Sequence, residues 1–509
     1  MENHHHHQMN VRSSTPLLEE HHQTCLQPRI PSFSEVLQEV KELYAIAIPL
    51  IVTSLLTYAK SATSTLFLGQ IGKKALAGGS LATCVANITG YSVVSGLSLG
   101  MEGISSQAHG ASNSVLLGKT LRRTILFLFA SCLPISVLWL CAEPILLRLG
   151  QDPEIVSIAA VYLRLSIPDL FVQLWIHPLR IFLRTQKITS PLMVTAVFGV
   201  FVHTPVTYLF VHFLKLGIWG IVLATSVANL TIVMGLLSYI QLSHTCKESW
   251  MGWSIDCFHG WMPIIRLAIP SCATVCFEWW WYEIMIILAG YLSDAPAAVA
   301  TMGIVIQETA LIYTLPSSLG QAISTRVGME LGANRPKKAR LSSLVGLACA
   351  LLMGLVAMSF SLIVRNSWAW MFTSDATIAA LTVTVLPVVG LSEVGNFPQT
   401  AGCSVLRGSS RPNLGTYINT VAFYGVGLGP GYYMGLRKGM GILGLWLGNL
   451  AAQLTCAAVM FSVVLRTNWA QQAQKAQERT ERSPEDTPPP WTNHRNREQS
   501  KSECHDSGG

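Results

Sequence analysis

Nine ionisable side chains fall inside long apolar stretches of this sequence: Lys60, Glu102, Arg164, Asp169, His203, Glu278, Glu283, Glu308 and Glu393. An ionisable group in hydrocarbon costs roughly 2.5–3.5 kcal/mol, so it normally faces a partner or a water-filled cavity. Glu278 lies about 16 residues into its stretch, roughly 24 Å along a helix axis. Burial at that depth disfavours the charged form of a carboxyl, which suits a proton carrier. Glu283 follows five residues later, about 140° round the helix, so the two glutamates do different work. Trp279, Trp280 and Trp281 point in three directions, and one of them, Trp279 among the candidates, can stack on a planar solute or cover a cation. Glu308 sits beside Gln307. Glu393 precedes Asn396 by one turn and lies near Pro398, which frees helix carbonyls; Tyr313 and Gln307 are candidates to hydrogen-bond it. Lys60 is expected to pair with Glu102 or Asp169, or to attract an anionic solute. Asp169 follows Pro168 and also fits a helix N-cap. His203 fits a satisfied core histidine better than a titrating switch. The proton-coupling candidates are Glu278, Glu283 and Glu393. The cavity candidates are Lys60, Glu102, Asp169, Trp279, Gln307, Glu308, Tyr313 and Asn396.

The elements that must position these groups follow from composition. Of 509 residues, 50% are apolar and only 12% are charged, with mean hydropathy +0.43. A soluble domain carries roughly 25% charged residues, so a soluble enzyme, a disordered chain and a nucleic-acid binder are all excluded. Apolar stretches near 44–69, 77–105, 123–142, 155–176, 190–213, 217–243, 262–291, 297–320, 341–364, 378–400, 414–435 and 441–465 predict twelve membrane spans. Spans in lipid must be helical, because lipid offers no partner to backbone amides. Fourteen basic residues fall near the even-numbered connections, including Arg180, Arg184, Arg326 and Arg407, against seven near the odd ones. That bias predicts even connections and both termini in the cytosol, and makes the net charge of +7 a sign of orientation.

The polar residues 1–40 and 467–509 are expected to be disordered cytosolic tails. The first has no apolar signal-peptide core, and its histidine-rich tract (His4 to His7, then His21 and His22) could bind metal weakly but fits an incidental run at a chain end better. Leu17-Leu18 there is a weak trafficking pattern. The twelve cysteines include no C-x-x-C pair and mostly sit in apolar runs, as buried free thiols do. Asn87-Ile-Thr and Asn229-Leu-Thr match the glycosylation pattern but fall inside spans.

The second half repeats the first. Ala47-Ile48-Pro49 recurs as Ala268-Ile269-Pro270, Gly110-Ala111 as Gly332-Ala333, Leu183-Arg184 as Leu406-Arg407, and Gly217-Ile218 as Gly441-Ile442. The near-constant spacing predicts two homologous six-helix bundles, 41–243 and 261–466, joined by a cytosolic linker at 244–260. With an even number of spans each, the halves share one topology about an axis along the membrane normal.

The runs Gly-Met-Glu-Gly-Ile-Ser-Ser-Gln-Ala-His-Gly-Ala (100–111), Thr-Arg-Val-Gly-Met-Glu-Leu-Gly-Ala (325–333) and Phe-Glu-Trp-Trp-Trp-Tyr-Glu (277–283) resemble the multidrug and toxic compound extrusion family, MATE. Glu393 to Thr400 with Val405-Leu406-Arg407-Gly408 is similar to its plant DETOXIFICATION branch. The resemblance covers about residues 35–466. It implies an all-α polytopic membrane protein of twelve transmembrane helices in two homologous bundles, and efflux of small organic solutes (xenobiotics, secondary metabolites or a hormone) by proton antiport, with Na+ as the alternative coupling ion. It also implies a coupling or substrate role for Glu278, and that a carboxylate standing at Gln307 in cation-exporting relatives has moved to Glu308. The aspartate that bacterial relatives carry in the first span is missing, which places the proton site in the second half. No cofactor, metal or nucleic acid is implied. The expected partners are a small organic solute and membrane lipid, for a monomer in the plasma membrane or an endomembrane.

Two rivals remain. The Ser483-Pro484 and Thr487-Pro488 sites fit a signalling scaffold that acts through its tails. A distant relative that flips lipid-linked sugars would need a more basic cavity than Lys60 alone provides. No H-E-x-x-H or G-x-S-x-G motif suggests an enzyme.

Overall fold

A computed structural model describes residues 31–243, 246, 249–250 and 255–481. The histidine tract, Leu17-Leu18 and the Ser-Pro and Thr-Pro sites lie outside these residues. The described chain is helical throughout and contains no strand. Its helices are α1 (Phe33–Ile71), α2 (Lys74–Gly110), α3 (Ser114–Leu140), α4 (Pro153–Thr185), α5 (Ser190–Phe213), α6 (Ile218–Leu242), α7 (Met262–Ala289), α8 (Ala295–Gly332), α9 (Pro336–Val364), α10 (Ala376–Gly408), α11 (412–437), α12 (Ile442–Leu465) and α13 (Trp469–Thr480). Eleven of the first twelve are long and apolar enough to cross a membrane. The other, α11, is interrupted by π turns at Thr420–Gly427 and Tyr433–Arg437 and is rich in glycine. The fold is a polytopic all-helical membrane protein of two homologous six-helix bundles.

The repeat is written into the backbone. Left-handed residues recur in pairs at the loop after α2 and α8 (Ser112, Asn334), after α4 and α10 (Lys187, Ser410) and before α6 and α12 (Lys215, Gly439; Gly217, Gly441). Gly217 and Gly441 combine φ near +57° and +59° with strongly negative ψ, a conformation open to glycine but not to residues with a Cβ. The first half ends α5 in a π turn at Leu209–Phe213, and the second ends α11 in one at Tyr433–Arg437.

The halves meet where the even-numbered connections lie, here termed the even end. A Cβ on Gly110 would stand 2.0 Å from the Met329 carbonyl oxygen, and one on Gly332 would stand 2.0 Å from that of Gln107. These contacts are related by the repeat, so a pseudo-twofold axis passes through the seam. One hydrophobic core crosses it, from Leu43 and Met101 to Leu319, Ile323 and Phe397. A second core, around Trp281, Phe423 and Trp446, stays within the second half.

Three boundaries differ from the sequence expectation. Helix α1 begins at Phe33, not after residue 40, because Ser32 and Glu35 form a capping box that satisfies its first amides. Residues 469–480 form α13 rather than disordered tail. Its Trp469, Ala473 and Ala476 bury one stripe, while its polar face carries its charges. Arg180, Arg184, Arg326 and Arg407 lie within α4, α8 and α10, not in connections. Long polar-ended helices carry them inward, so they serve the interior rather than a loop count.

Candidate functional site

In the second half, α7, α8 and α10 bring three carboxylates into one interior. Glu278 of α7, Glu308 of α8 and Glu393 of α10 are all buried. None is ion-paired among the described residues. Asn396 Nδ2 donates to Glu393 Oε2 at 2.8 Å, one turn along the same helix. Ser361 Oγ donates to Glu308 Oε1 at 2.5 Å, and Glu308 Oε2 has no hydrogen-bond partner. Glu278 lies within electrostatic reach of Arg407 and of Glu393 and faces Gln399. Tyr282 and Tyr313 are within reach of both Glu278 and Glu393. Gln399 continues this polar surface to Asn419 at 3.4 Å, and Cys456 Sγ donates to the same Asn419 oxygen at 3.0 Å. Low dielectric strengthens each of these interactions and disfavours a doubly ionised pair. Such an interior can take up and release protons.

The first half holds a separate buried network. Lys60 of α1 donates to Asn229 Oδ1 on α6. Asn229 Nδ2 donates to Asp169 Oδ1 at 2.6 Å, and Tyr91 OH of α2 donates to Asp169 Oδ2 at 3.0 Å. His203 Nε2 lies 3.2–3.5 Å from the hydroxyls of Ser64, Thr207 and Thr225, while its Nδ1 has no partner.

The seam is sealed by ion pairs between the halves. Glu102 of α2 binds Arg184 of α4 at 2.6 Å and Arg407 of α10 at 3.3 Å, and Arg184 also reaches Gln321 of α8. Arg184 and Arg407 are repeat-related, so one carboxylate holds both equivalents across the pseudo-axis. Beside them Glu39 of α1 accepts from Nε and Nη2 along one edge of the Arg326 guanidinium at 2.9 and 2.8 Å, and Glu330 binds Arg326 at 3.0 Å. Helix α13 bridges the same end: Gln477 donates to Gly332 O at 2.7 Å, Thr480 O accepts from Asn113 at 3.1 Å, and Arg479 donates to Gln107 at 3.4 Å.

Several sequence expectations need correction. Lys60 does not pair with Glu102, because helix rotation turns Glu102 to the seam, where it is fully buried by arginines; it does not line an open cavity. Asp169 is no N-cap, since α4 continues from Pro153 through Pro168 to Thr185. Gln307 is exposed and meets Tyr58 OH across the seam at 3.4 Å rather than Glu393. Glu283 is apart from the carboxylate cluster and accepts from Cys84 Sγ of the other half at 3.3 Å. Trp279 and Trp280 are exposed, and Trp281 is the buried member, donating to Asn449 at 2.8 Å. Most described cysteines are buried free thiols; Cys141 is exposed. Sequence reasoning passed over Asn229, seen only as a glycosylation pattern, and the arginines of the seam. The alignment of Arg184 with Arg407 was the signal that pointed to them.

The MatE family model matches residues 49–209 and 270–433, one copy in each half. The chain belongs to the MatE family. Protein DETOXIFICATION 48 of Arabidopsis thaliana is 50% identical to it over 461 residues, covering 91% of this chain and 87% of that protein. Protein DETOXIFICATION 49 of the same plant is 50% identical over 457 residues, covering 90% and 91%. The crystal structure of the eukaryotic MATE transporter AtDTX14 superposes with a TM-score of 0.85 at 30% identity, covering 88% of this chain and all of that one. As a MatE protein the chain is a multi-pass membrane transporter of small molecules, not an enzyme.

Proposed function

We propose that this transporter expels a small organic solute in exchange for protons, by alternating access of the two halves to either side of the membrane. The observation that carries this is the Glu278–Glu308–Glu393 interior: three buried carboxylates without a salt bridge, grouped in one half of a two-fold repeat. Structural carboxylates in this molecule, Glu39 and Glu102, are held by arginine instead. A carboxyl that is neutral in one state and ionised in the next couples proton movement to rearrangement. Protonation of Glu278 removes the attraction of Arg407, the seam residue that also binds Glu102, and so connects the proton site to the seal. The even end is taken as cytosolic, which makes the sealed state the one open to the opposite side.

Glu278→Gln in purified protein reconstituted in vesicles is expected to reduce pH-gradient-driven efflux at least 100-fold while the protein remains monodisperse. Full activity of that variant removes Glu278 from coupling. A flux that follows a sodium gradient and ignores a pH gradient assigns the coupling ion to Na+ instead.

A further inference from the structure

The basic groups along α4 are unequally matched. Arg184 shares Glu102 with Arg407, and Lys60 reaches Asp169 through Asn229. Arg180 stands one turn before Arg184 on the same face of α4 and makes no hydrogen bond or ion pair among the described residues. Lys60, Arg184 and the imidazole of His177 lie within its electrostatic reach, and no carboxylate pairs with it among the described residues. His177 is three residues before Arg180, on that face too. Arg180 keeps partial solvent access although it is set well inside the helical bundle. A cation so placed is costly unless an anion or water meets it.

Two further contacts locate this face. Arg184 reaches Gln321 of α8, and Ser54 of α1 meets Ser318 of α8 at 3.1 Å. Ser318 and Gln321 are three residues apart on one side of α8. The basic face of α4 and the hydroxyl stripe of α1 (Ser54, Tyr58, Ser61) therefore converge on the same surface of the opposite half. Ser61 is exposed and Tyr58 partly so. The repeat shows that this chemistry is specific to the first half. Arg180 corresponds to Cys403, Lys60 to Trp281, and Glu278 to Thr57. At these matched positions the first half carries Arg180 and Lys60, and the second carries the carboxylate Glu278.

We infer that Arg180 anchors the oxyanion of a singly charged organic anion between the halves, in the field of Lys60 and beside His177, with the α1 hydroxyls completing its hydrogen bonds. A guanidinium presents two parallel donors that match a carboxylate or sulfonate, and one uncompensated arginine matches one negative charge. This names the substrate class for the antiport proposed above and rests on that reading only for its direction of transport; binding itself does not require it.

Equilibrium binding to the purified full chain decides the matter, with naphthalene-1-sulfonate as probe, its neutral sulfonamide as control and tetraethylammonium as competitor. The wild type is expected to bind the sulfonate at least tenfold more tightly than the sulfonamide, and tetraethylammonium is expected not to compete. Arg180→Gln should weaken sulfonate binding tenfold or more and leave sulfonamide binding within twofold. Arg180→Lys should fall between. Equal wild-type affinity for sulfonate and sulfonamide overturns the site, and that comparison needs no variant to fold. Unchanged sulfonate binding in Arg180→Gln, or equal loss for both compounds, overturns it as well. Glu278→Gln should keep sulfonate binding while losing pH-driven flux. Arg180-dependent binding without pH-driven flux in the wild type would sink the antiport and leave the anion site standing.

Discussion

At the scale of single residues, this protein treats its buried charges in two ways. Glu39, Glu102 and Asp169 are fixed by arginine or by a lysine–asparagine relay, whereas Glu278, Glu308 and Glu393 have only neutral donors or distant charges. The first set is fixed by its partners, and the second is the set that changes charge in the proposed antiport. Removing one member of a buried pair leaves the other uncompensated, at a cost of roughly 3–5 kcal/mol. Asp169→Ala is therefore expected to lower the thermal unfolding midpoint of the solubilised protein markedly, by exposing Lys60 to an unpaired state. Lys60→Met combined with Asp169→Ala should recover part of that loss, because the orphaned ammonium is gone. An unchanged midpoint for Asp169→Ala would show that the network contributes nothing to stability. The sequence offered Lys60, Asp169 and Glu102 as candidates, but not which of the two acids the lysine meets. That choice depends on the rotation of α1 against α2, α4 and α6, which no local pattern sets.

At the scale of elements, close approach of α2 and α8 depends on glycine. Gly110 and Gly332 admit the opposite backbone at a distance no side chain would permit. Gly332→Val should hold the even end apart. In a cysteine-free background with a single cysteine at Ser106, which is wholly buried in the seam, the valine variant is expected to react with a small maleimide at least tenfold faster than its parent. Equal protection would mean that the halves close without this contact. Helix α13 illustrates why composition misled. Its residues are polar enough to resemble a tail, yet three buried apolar positions and three hydrogen bonds to both halves dock it across the seam. The helices themselves were legible, since apolar length specifies a span almost alone. The exception in contour is α11, whose π turns let glycine-rich backbone pack against α12 without ending the helix.

At the scale of the whole molecule, two copies of one bundle have diverged in charge while keeping one backbone. Left-handed loop residues still match pair by pair, but the buried carboxylates without a salt bridge, Glu278, Glu308 and Glu393, lie in the second half, whereas Lys60 and Arg180 have no cationic counterpart there. Rocking about the seam would bring each set in turn to either side. Ser54 and Ser318, whose hydroxyl oxygens are 3.1 Å apart across the halves, give a direct test. In a cysteine-free background, Ser54→Cys with Ser318→Cys should crosslink on mild oxidation and lose more than 90% of its flux, and reductant should restore it. Undiminished flux in the fully crosslinked protein would exclude motion of α1 against α8 in the cycle.

The sequence by itself determined the membrane class, the number of spans, the two-fold repeat and the family, because these depend on apolar length, period and motif order, which are properties of a chain read in one dimension. It also placed Glu278 and Glu393 in one half. Only the tertiary structure decided which charges meet. Arg180 and Arg184 are one turn apart in the same helix and look alike in sequence. Yet Arg184 reaches a carboxylate on α2, and Arg180 reaches none among the described residues. Partners separated by tens or hundreds of residues are selected by helix rotation and by the seam between halves, and those are set by packing of the whole fold.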